Sequence, residues 1–357
     1  MSALAATPAP ASDPVLDVRD LRVEFDTYGG VVQAVRGVSF TLPRGKTLAI
    51  VGESGCGKSV TVQALMGLVP VPPGRVTSGS VKFGGREMLG VAAREINRIR
   101  GKDIGMIFQD PMTSLNPTMT IGTQITETLR HHDGVGRREA RTRAVELLER
   151  VRIPDAAARV DHYPFQFSGC MRQRAMIAMA IACGPSVLVA DEPTTALDVT
   201  IQAQILGLLG DLQREGDMSI ILITHDLGVV ARMADEVAVM YAGEIVERGS
   251  VDDVFYRPAH PYTIGLQGAK PRAHEGRRER LASIEGSPPD LFSPPPGCAY
   301  FDRCPHAMRV CEPLDPPLWT VAPGHDSRCW LHHEYAAARR PEALHHGELM
   351  RGEPSPG

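Results

Sequence analysis

Gly52-Glu53-Ser54-Gly55-Cys56-Gly57-Lys58-Ser59 is the stretch on which the reading of this chain turns. Its glycines, lysine and hydroxyl residue stand at the offsets of a phosphate-binding P-loop. A short apolar run, 47–51, precedes it and reads as a buried strand, while 60–68 reads as the start of a helix. Glycine lets the backbone bend close to phosphate oxygens, so that its N–H groups face the negative charge. Lys58 is placed to reach the β- and γ-phosphates and Ser59 to ligate Mg²⁺, with the helix N-terminus adding a favourable dipole. A glycine-rich turn at an ordinary strand–helix junction is the plain alternative. The segments downstream argue against it.

Strand-like and helix-like segments alternate from residue 16 to about 249, which predicts a parallel α/β core. Strands are expected at 21–25, 47–51, 104–108, 187–190 and 219–224, and helices at 138–151, 171–183 and 201–215. Hairpins are expected near Gly84–Gly85 and Gly243. The stretch from about 111 to 183 is mostly helical and predicts a helical subdomain inserted in the core. The expected organisation is a disordered leader over 1–14 and a nucleotide-binding domain over 15–250. A C-terminal extension with a proline-rich linker follows over 251–296, then a small irregular four-cysteine module over 297–335 and a disordered tail over 336–357.

The 357 residues are enough for two domains with cores of their own. Hydrophobic content of 43% and charged content of 22% are ordinary for a soluble globular protein. A net charge of −4 provides no global field for nucleic acid or an anionic membrane, and the basic run 277–280 reads as a solvated linker. No uninterrupted apolar segment approaches the ~20 residues that cross a bilayer. The first 14 residues lack the basic start and apolar run of a secretion signal. The expectation is a cytoplasmic protein that meets a membrane only through partners.

Residues 187–192, Val-Leu-Val-Ala-Asp-Glu, form an apolar run ending in two carboxylates. At a strand end beside the P-loop, Asp191 can hold Mg²⁺, mostly through water. Glu192 then lies near the γ-phosphate as a general base for the attacking water. A surface acidic pair is the bland alternative.

With these segments in this order, the chain resembles the ATP-binding-cassette ATPases over residues 16–249. Phe167-Ser168-Gly169-Cys170-Met171 resembles their signature segment and Ala196-Leu197-Asp198 their D-loop. His225 matches the switch histidine, Gln109 the Q-loop glutamine, and Phe25 the aromatic that stacks on adenine, with Tyr28 as second candidate. Alone, Phe25 reads as core, Gln109 as a strand-end polar residue and His225 as structural. Their order and spacing carry the resemblance. It implies an α/β P-loop ATPase in which two such domains sandwich two ATP molecules. Each lies between one domain's P-loop (Gly52, Glu53, Ser54, Gly55, Cys56, Gly57, Lys58, Ser59) and the other's Ser168, Gly169 and Cys170. It further implies that Ser59, Gln109 and Asp191 serve Mg²⁺, and that His225 contacts the γ-phosphate and holds Glu192 and water in register. Cys170 departs from the family, which has a second glycine there. A side chain at that position predicts poor hydrolysis at the site it completes, and favours pairing with a different ATPase chain.

Gln109-Asp110-Pro111-Met112-Thr113-Ser114-Leu115-Asn116-Pro117, the run 171–198 and Arg257-Pro258-Ala259-His260-Pro261-Tyr262-Thr263 resemble dipeptide/oligopeptide importers of the peptide/nickel transporter family. That resemblance implies two transmembrane permease subunits, an extracytoplasmic peptide-binding protein, no nucleic acid and a place on the cytoplasmic face of the cell membrane. Nickel chelates and glutathione-like solutes remain alternative cargoes, and a regulatory ATP-binding subunit an alternative role. A cassette ATPase acting on nucleic acid or the ribosome would call for a second cassette or long coiled-coil insertions, and the sequence carries neither.

Of seven cysteines, Cys56, Cys170 and Cys183 are scattered, whereas Cys298, Cys304, Cys311 and Cys329 cluster. Four clustered thiols in a reducing compartment suggest metal binding more than disulfides. Zn²⁺, an iron–sulfur cluster, and free thiols packed with Phe301, Trp319 and Trp330 are all open on the residues, although paired zinc knuckles are missing. The family resemblance implies a 4Fe–4S cluster in a structural role.

Overall fold

The computed structural model describes residues 13–195, 198–268, 284–341 and 344. Its strands run β1 (Leu16–Thr27), β2 (Gly30–Leu42), β3 (Thr47–Val51), β4 (Gly74–Phe83), β5 (Arg86–Glu87), β6 (Ile104–Ile107), β7 (Val187–Asp191), β8 (Ser219–Ile223), β9 (Glu236–Tyr241), β10 (Glu244–Ser250), β11 (Trp319–Ala322) and β12 (His325–Ser327). An antiparallel sheet has the order β2-β1-β4-β5, and an eight-stranded sheet the order β11-β12-β10-β9-β3-β8-β7-β6. β9, β3, β8, β7 and β6 run parallel.

Every residue of β3, β7 and β8 is buried, as expected of parallel strands covered on both faces. On one side Leu21, Val23, Val35 and Phe40 of the antiparallel sheet share a core with Ile50, Val189 and Ile221. On the other, the helices Ile121–Asp133, Arg137–Arg150, Gly169–Ala180 and Val199–Gly216 bring Leu129, Leu148, Ile177 and Leu209 against Leu188, Ile220 and Leu222. Successive strand residues thus serve opposite cores, the period of two that a strand imposes.

Local chemistry sets the helix ends. Thr120 accepts from the Thr123 N–H at 3.2 Å, and Gly134 closes the same helix at φ 67°. Ser168 accepts from the Met171 N–H at 3.3 Å, which starts that helix at 169, two residues before the expected 171. β1 extends well beyond the expected 21–25. A register shift at Asp20, with φ 44°, breaks its alternation, so only its second half reads as a strand. β2 lies outside all of the expected strands.

The C-terminal segment, expected as a small irregular module, is joined to the core by strand pairing. β12 pairs with β10 through Ser327–Glu247 and Asp326–Arg248, so the segment extends the sheet of the ATPase core. Among the described residues no helix is long and apolar enough to cross a membrane. Residues 1–12 of the leader, the basic run 277–280, Ala196, Leu197 and nearly all of the expected tail beyond 341 lie outside the described residues.

Candidate functional site

The order β3-β8-β7-β6 aligns four carboxyl ends along one edge, where ligands of open α/β sheets bind. Gly52 leaves β3, His225 follows β8, Asp191 ends β7 with Glu192 directly after it, and Gln109 follows β6. Residues far apart in sequence become neighbours through strand order alone.

The loop after β3 requires its glycines. A Cβ at Gly52 would lie 2.1 Å from the Met240 carbonyl oxygen, and one at Gly57 would lie 2.3 Å from that of Ala34. Gly55 faces open space but holds φ 80°, which disfavours other residues. Lys58 is buried, and its Nζ donates to the carbonyls of Gly52 and Glu53, both at 2.8 Å. A buried ammonium seated on neutral carbonyls, within a loop of N–H groups, suits a phosphate. Cys56 is buried beside it, and burial pushes that thiol above its ordinary pKa despite the pull of Lys58.

Ser59 donates to Asp191 Oδ1 at 3.0 Å. Burial pushes the Asp191 carboxyl up; the Ser59 hydrogen bond opposes the shift, Glu192 adds to it and Lys58 opposes it. A hydroxyl beside a desolvated carboxylate is an oxygen-donor pair of the kind Mg²⁺ takes, and a divalent cation there would favour the charged carboxylate. Glu192 holds φ 47°, a left-handed conformation that costs a non-glycine residue free energy. It accepts from Gln109 Nε2 at 3.0 Å and Thr195 Oγ1 at 2.8 Å, with His225 Nδ1 at 3.4 Å. Thr195 was not anticipated. It is the second threonine of Pro193-Thr194-Thr195, three residues beyond the glutamate it holds, and that spacing was the available signal.

A family model described as ABC transporter matches residues 35–195, and one described as oligopeptide/dipeptide transporter, C-terminal region, matches 246–311. The oligopeptide transport ATP-binding protein OppD of Bacillus subtilis is 55% identical over 92% of this chain and 92% of its own length. The dipeptide transport ATP-binding protein DppD of the same organism is 55% identical over 91% of this chain and 96% of its own. The chain belongs to the ABC transporter family of ATP-binding proteins.

Among solved structures, the ATP-binding cassette MJ0796, in a dimeric post-hydrolysis state bound to ADP and Pi, matches with a TM-score of 0.60 and 26% identity. It covers 66% of this chain and 98% of that one. The present chain is accordingly an ATP-hydrolysing ABC subunit with a P-loop α/β core. In this ABC ATPase, Ser168 caps the helix Gly169–Ala180 and Cys170 lies half-buried in its first turn. The backbone at 170 is helical, so the cysteine itself is unstrained, and nothing lies within 4 Å of a Cβ built at Gly169. Gln173 Nε2 donates to the Pro193 carbonyl at 2.6 Å, tying that helix to the segment after β7. Among the described residues no hydrogen bond joins Ser168, Gly169 or Cys170 to this chain's own P-loop. Asp198 caps the helix Val199–Gly216 by accepting from Ile201 N–H at 2.9 Å. Phe25 is half-buried against the inter-sheet core, whereas Tyr28 is fully exposed.

The iron–sulfur expectation finds no matching geometry. Cys298, Cys304, Cys311 and Cys329 line one cavity of about 10 Å³ with His260, Tyr300 and Trp330. Among the described residues no group of three or more His, Cys, Asp or Glu side chains is arranged to hold a metal ion. Burial pushes the thiols of Cys298 and Cys304 up to about 12 and about 11, with neighbouring cysteines adding to the shift.

Proposed function

We propose that this chain energises the import of dipeptides or oligopeptides, acting at the cytoplasmic face of the membrane as one half of an ATP sandwich. Its partners in this reading are a second ABC ATPase chain, two transmembrane permease subunits and, indirectly, an extracytoplasmic peptide-binding protein. The observation that carries the reading is the convergence on Glu192 of Gln109, Thr195 and His225, next to the Ser59–Asp191 pair. The cargo class rests on the relatives, whose names specify oligopeptide and dipeptide transport.

In this assignment the loop 52–59 binds the phosphates and Phe25 packs on the adenine. Ser59, Asp191 and Gln109 would hold Mg²⁺, which would supply charge neutralisation at the phosphate oxygens. Glu192 takes the proton of the attacking water while His225 and Gln109 fix its carboxylate. Ser168, Gly169 and Cys170 face the nucleotide of the partner ATPase, and Asp198 lies in the D-loop at that interface. The domain assignment is a nucleotide-binding domain over 15–250 with a helical subdomain over about 111–183, followed by the extension and the cysteine segment. Glu192→Gln tests the chemistry: ATP binding persists while hydrolysis falls by about 10²–10⁴-fold, the range for a lost general base. Unchanged hydrolysis overturns the assignment of Glu192.

A 4Fe–4S cluster on Cys298, Cys304, Cys311 and Cys329 is the finer reading of the cysteine segment. Four thiols on one cavity support it, and the absence of a ligating arrangement among the described residues opposes it. Iron and acid-labile sulfide analysis of anaerobically purified protein decides, with about four irons per chain required by the cluster.

A further inference from the structure

Two side chains from beyond the sheet core reach back to Glu53, the second residue of the P-loop. Tyr262, on the helix Pro261–Gly268, accepts from the Glu53 N–H at 2.9 Å. Arg303, in the 3₁₀ turn Phe301–Arg303 between Cys298 and Cys304, forms a fork with the Glu53 carboxylate at 2.6 and 2.9 Å. The remaining guanidinium donors are also used. Nη1 reaches the Tyr241 hydroxyl at 3.3 Å, Nη2 the Ile284 carbonyl at 3.2 Å and Nε the Glu285 carbonyl at 3.0 Å. All five N–H groups are engaged, and the side chain is 4% exposed.

On its other side, the same loop residue faces Lys58, whose Nζ sits on the carbonyls of Gly52 and Glu53. The peptide that cradles the lysine is therefore gripped from behind by the C-terminal segment. We infer that Arg303 is a positioning residue for the nucleotide site, fixing the first turn of the P-loop through Glu53 and so coupling the cysteine segment to ATP affinity. The inference rests on the ATPase reading above and adds a residue 250 positions from the one it holds. A bidentate guanidinium–carboxylate pair has the directionality such a task needs, and lysine cannot reproduce its fork.

The test is the affinity of the full chain for a fluorescent ATP analogue with Mg²⁺, alongside KM for ATP and kcat in the transporter assembly. Arg303→Met and Glu53→Gln are each expected to weaken binding and raise KM about tenfold, with kcat within about twofold. The double variant is expected to be no worse than either single, because the two act as one unit. Arg303→Lys should recover part of the loss. Arg340→Met removes a contact to the Leu331 carbonyl within the same segment and should leave KM unchanged. Unaltered affinity in Arg303→Met, additive losses in the double variant, or an equal loss in Arg340→Met would each overturn the inference. A wild-type chain that binds no ATP would instead overturn the ATPase reading on which it rests.

Discussion

Glu247 is the junction between the sheet of the ATPase core and everything that follows it, and its removal has a calculable consequence. Its side chain is fully buried in β10 and accepts four hydrogen bonds. Oε1 takes the Ala259 N–H at 2.7 Å and His325 Nε2 at 2.9 Å, and Oε2 takes the His260 N–H at 2.9 Å and the Thr263 hydroxyl at 2.6 Å. These donors fill the acceptor sites of one carboxylate. Glu247→Ala deprives the buried Ala259 and His260 N–H groups of their acceptor, at about 1–3 kcal/mol each, and takes one acceptor from Thr263 and from His325 as well. We take about 3–5 kcal/mol as the net cost, the range for removing one side of a buried charged contact. At ~2 °C per kcal/mol for a chain of this size, thermal unfolding should begin ~6–10 °C lower. Hydrogen exchange should show the loss first in residues 257–263 and 325–332, since β12 docks through the same carboxylate. Glu247→Gln should cost about half as much, because one oxygen keeps its donors and the new NH₂ opposes the others. A shift below ~2 °C for Glu247→Ala, with exchange at 257–263 unchanged, would refute the reasoning.

Two further outcomes follow from the same structure. Cys170→Gly should raise ATP hydrolysis of the assembled transporter about tenfold, by removing a Cβ and sulfur from a surface read as facing phosphate. Equal steady-state rates would show that the cysteine is tolerated. Acid should also loosen the C-terminal junction: burial, aided by His332, holds His260 down to about 3 in the folded chain. Its ordinary value in the unfolded chain is 6.5, so the unfolded state binds the extra proton and stability falls as pH drops from 6.5 towards 3. The slope is at most about 1.4 kcal/mol per pH unit, read as the difference between wild type and His260→Gln across that window.

The residues of the site were readable because P-loop chemistry tolerates so few alternatives. Only glycine fits at 52 and 57, and a buried strand ending in Asp191-Glu192 leaves few other uses for the pair. The parallel core was readable for a related reason, since strands buried on both faces are short continuous apolar runs. β2 escaped because its apolar residues are interleaved with Gln33, Arg36 and Gly37, which disguise a strand lying across the core. The attachment of the C-terminal segment is not legible in its composition. Prolines and cysteines suggest an irregular appendage, whereas its attachment depends on contacts of Glu247, His325 and Ser327 that span 68–80 positions. Local pattern carries no trace of such contacts, and the Arg303–Glu53 pair was invisible for the same reason. Thr195 offers only its three-residue spacing from Glu192 as a signal, and the hydrogen bond itself depends on the turn that folds it back.

The central claim is that the loop ending at Lys58 and Ser59 binds the ATP whose hydrolysis drives transport. Side-by-side measurement of ATP hydrolysis and peptide uptake by the assembled transporter carrying Lys58→Ala tests it most directly. Both should fall together by about 10²–10³-fold, the scale of a lost electrostatic contact to the reacting phosphate. Parent-like hydrolysis and uptake in that variant would contradict it.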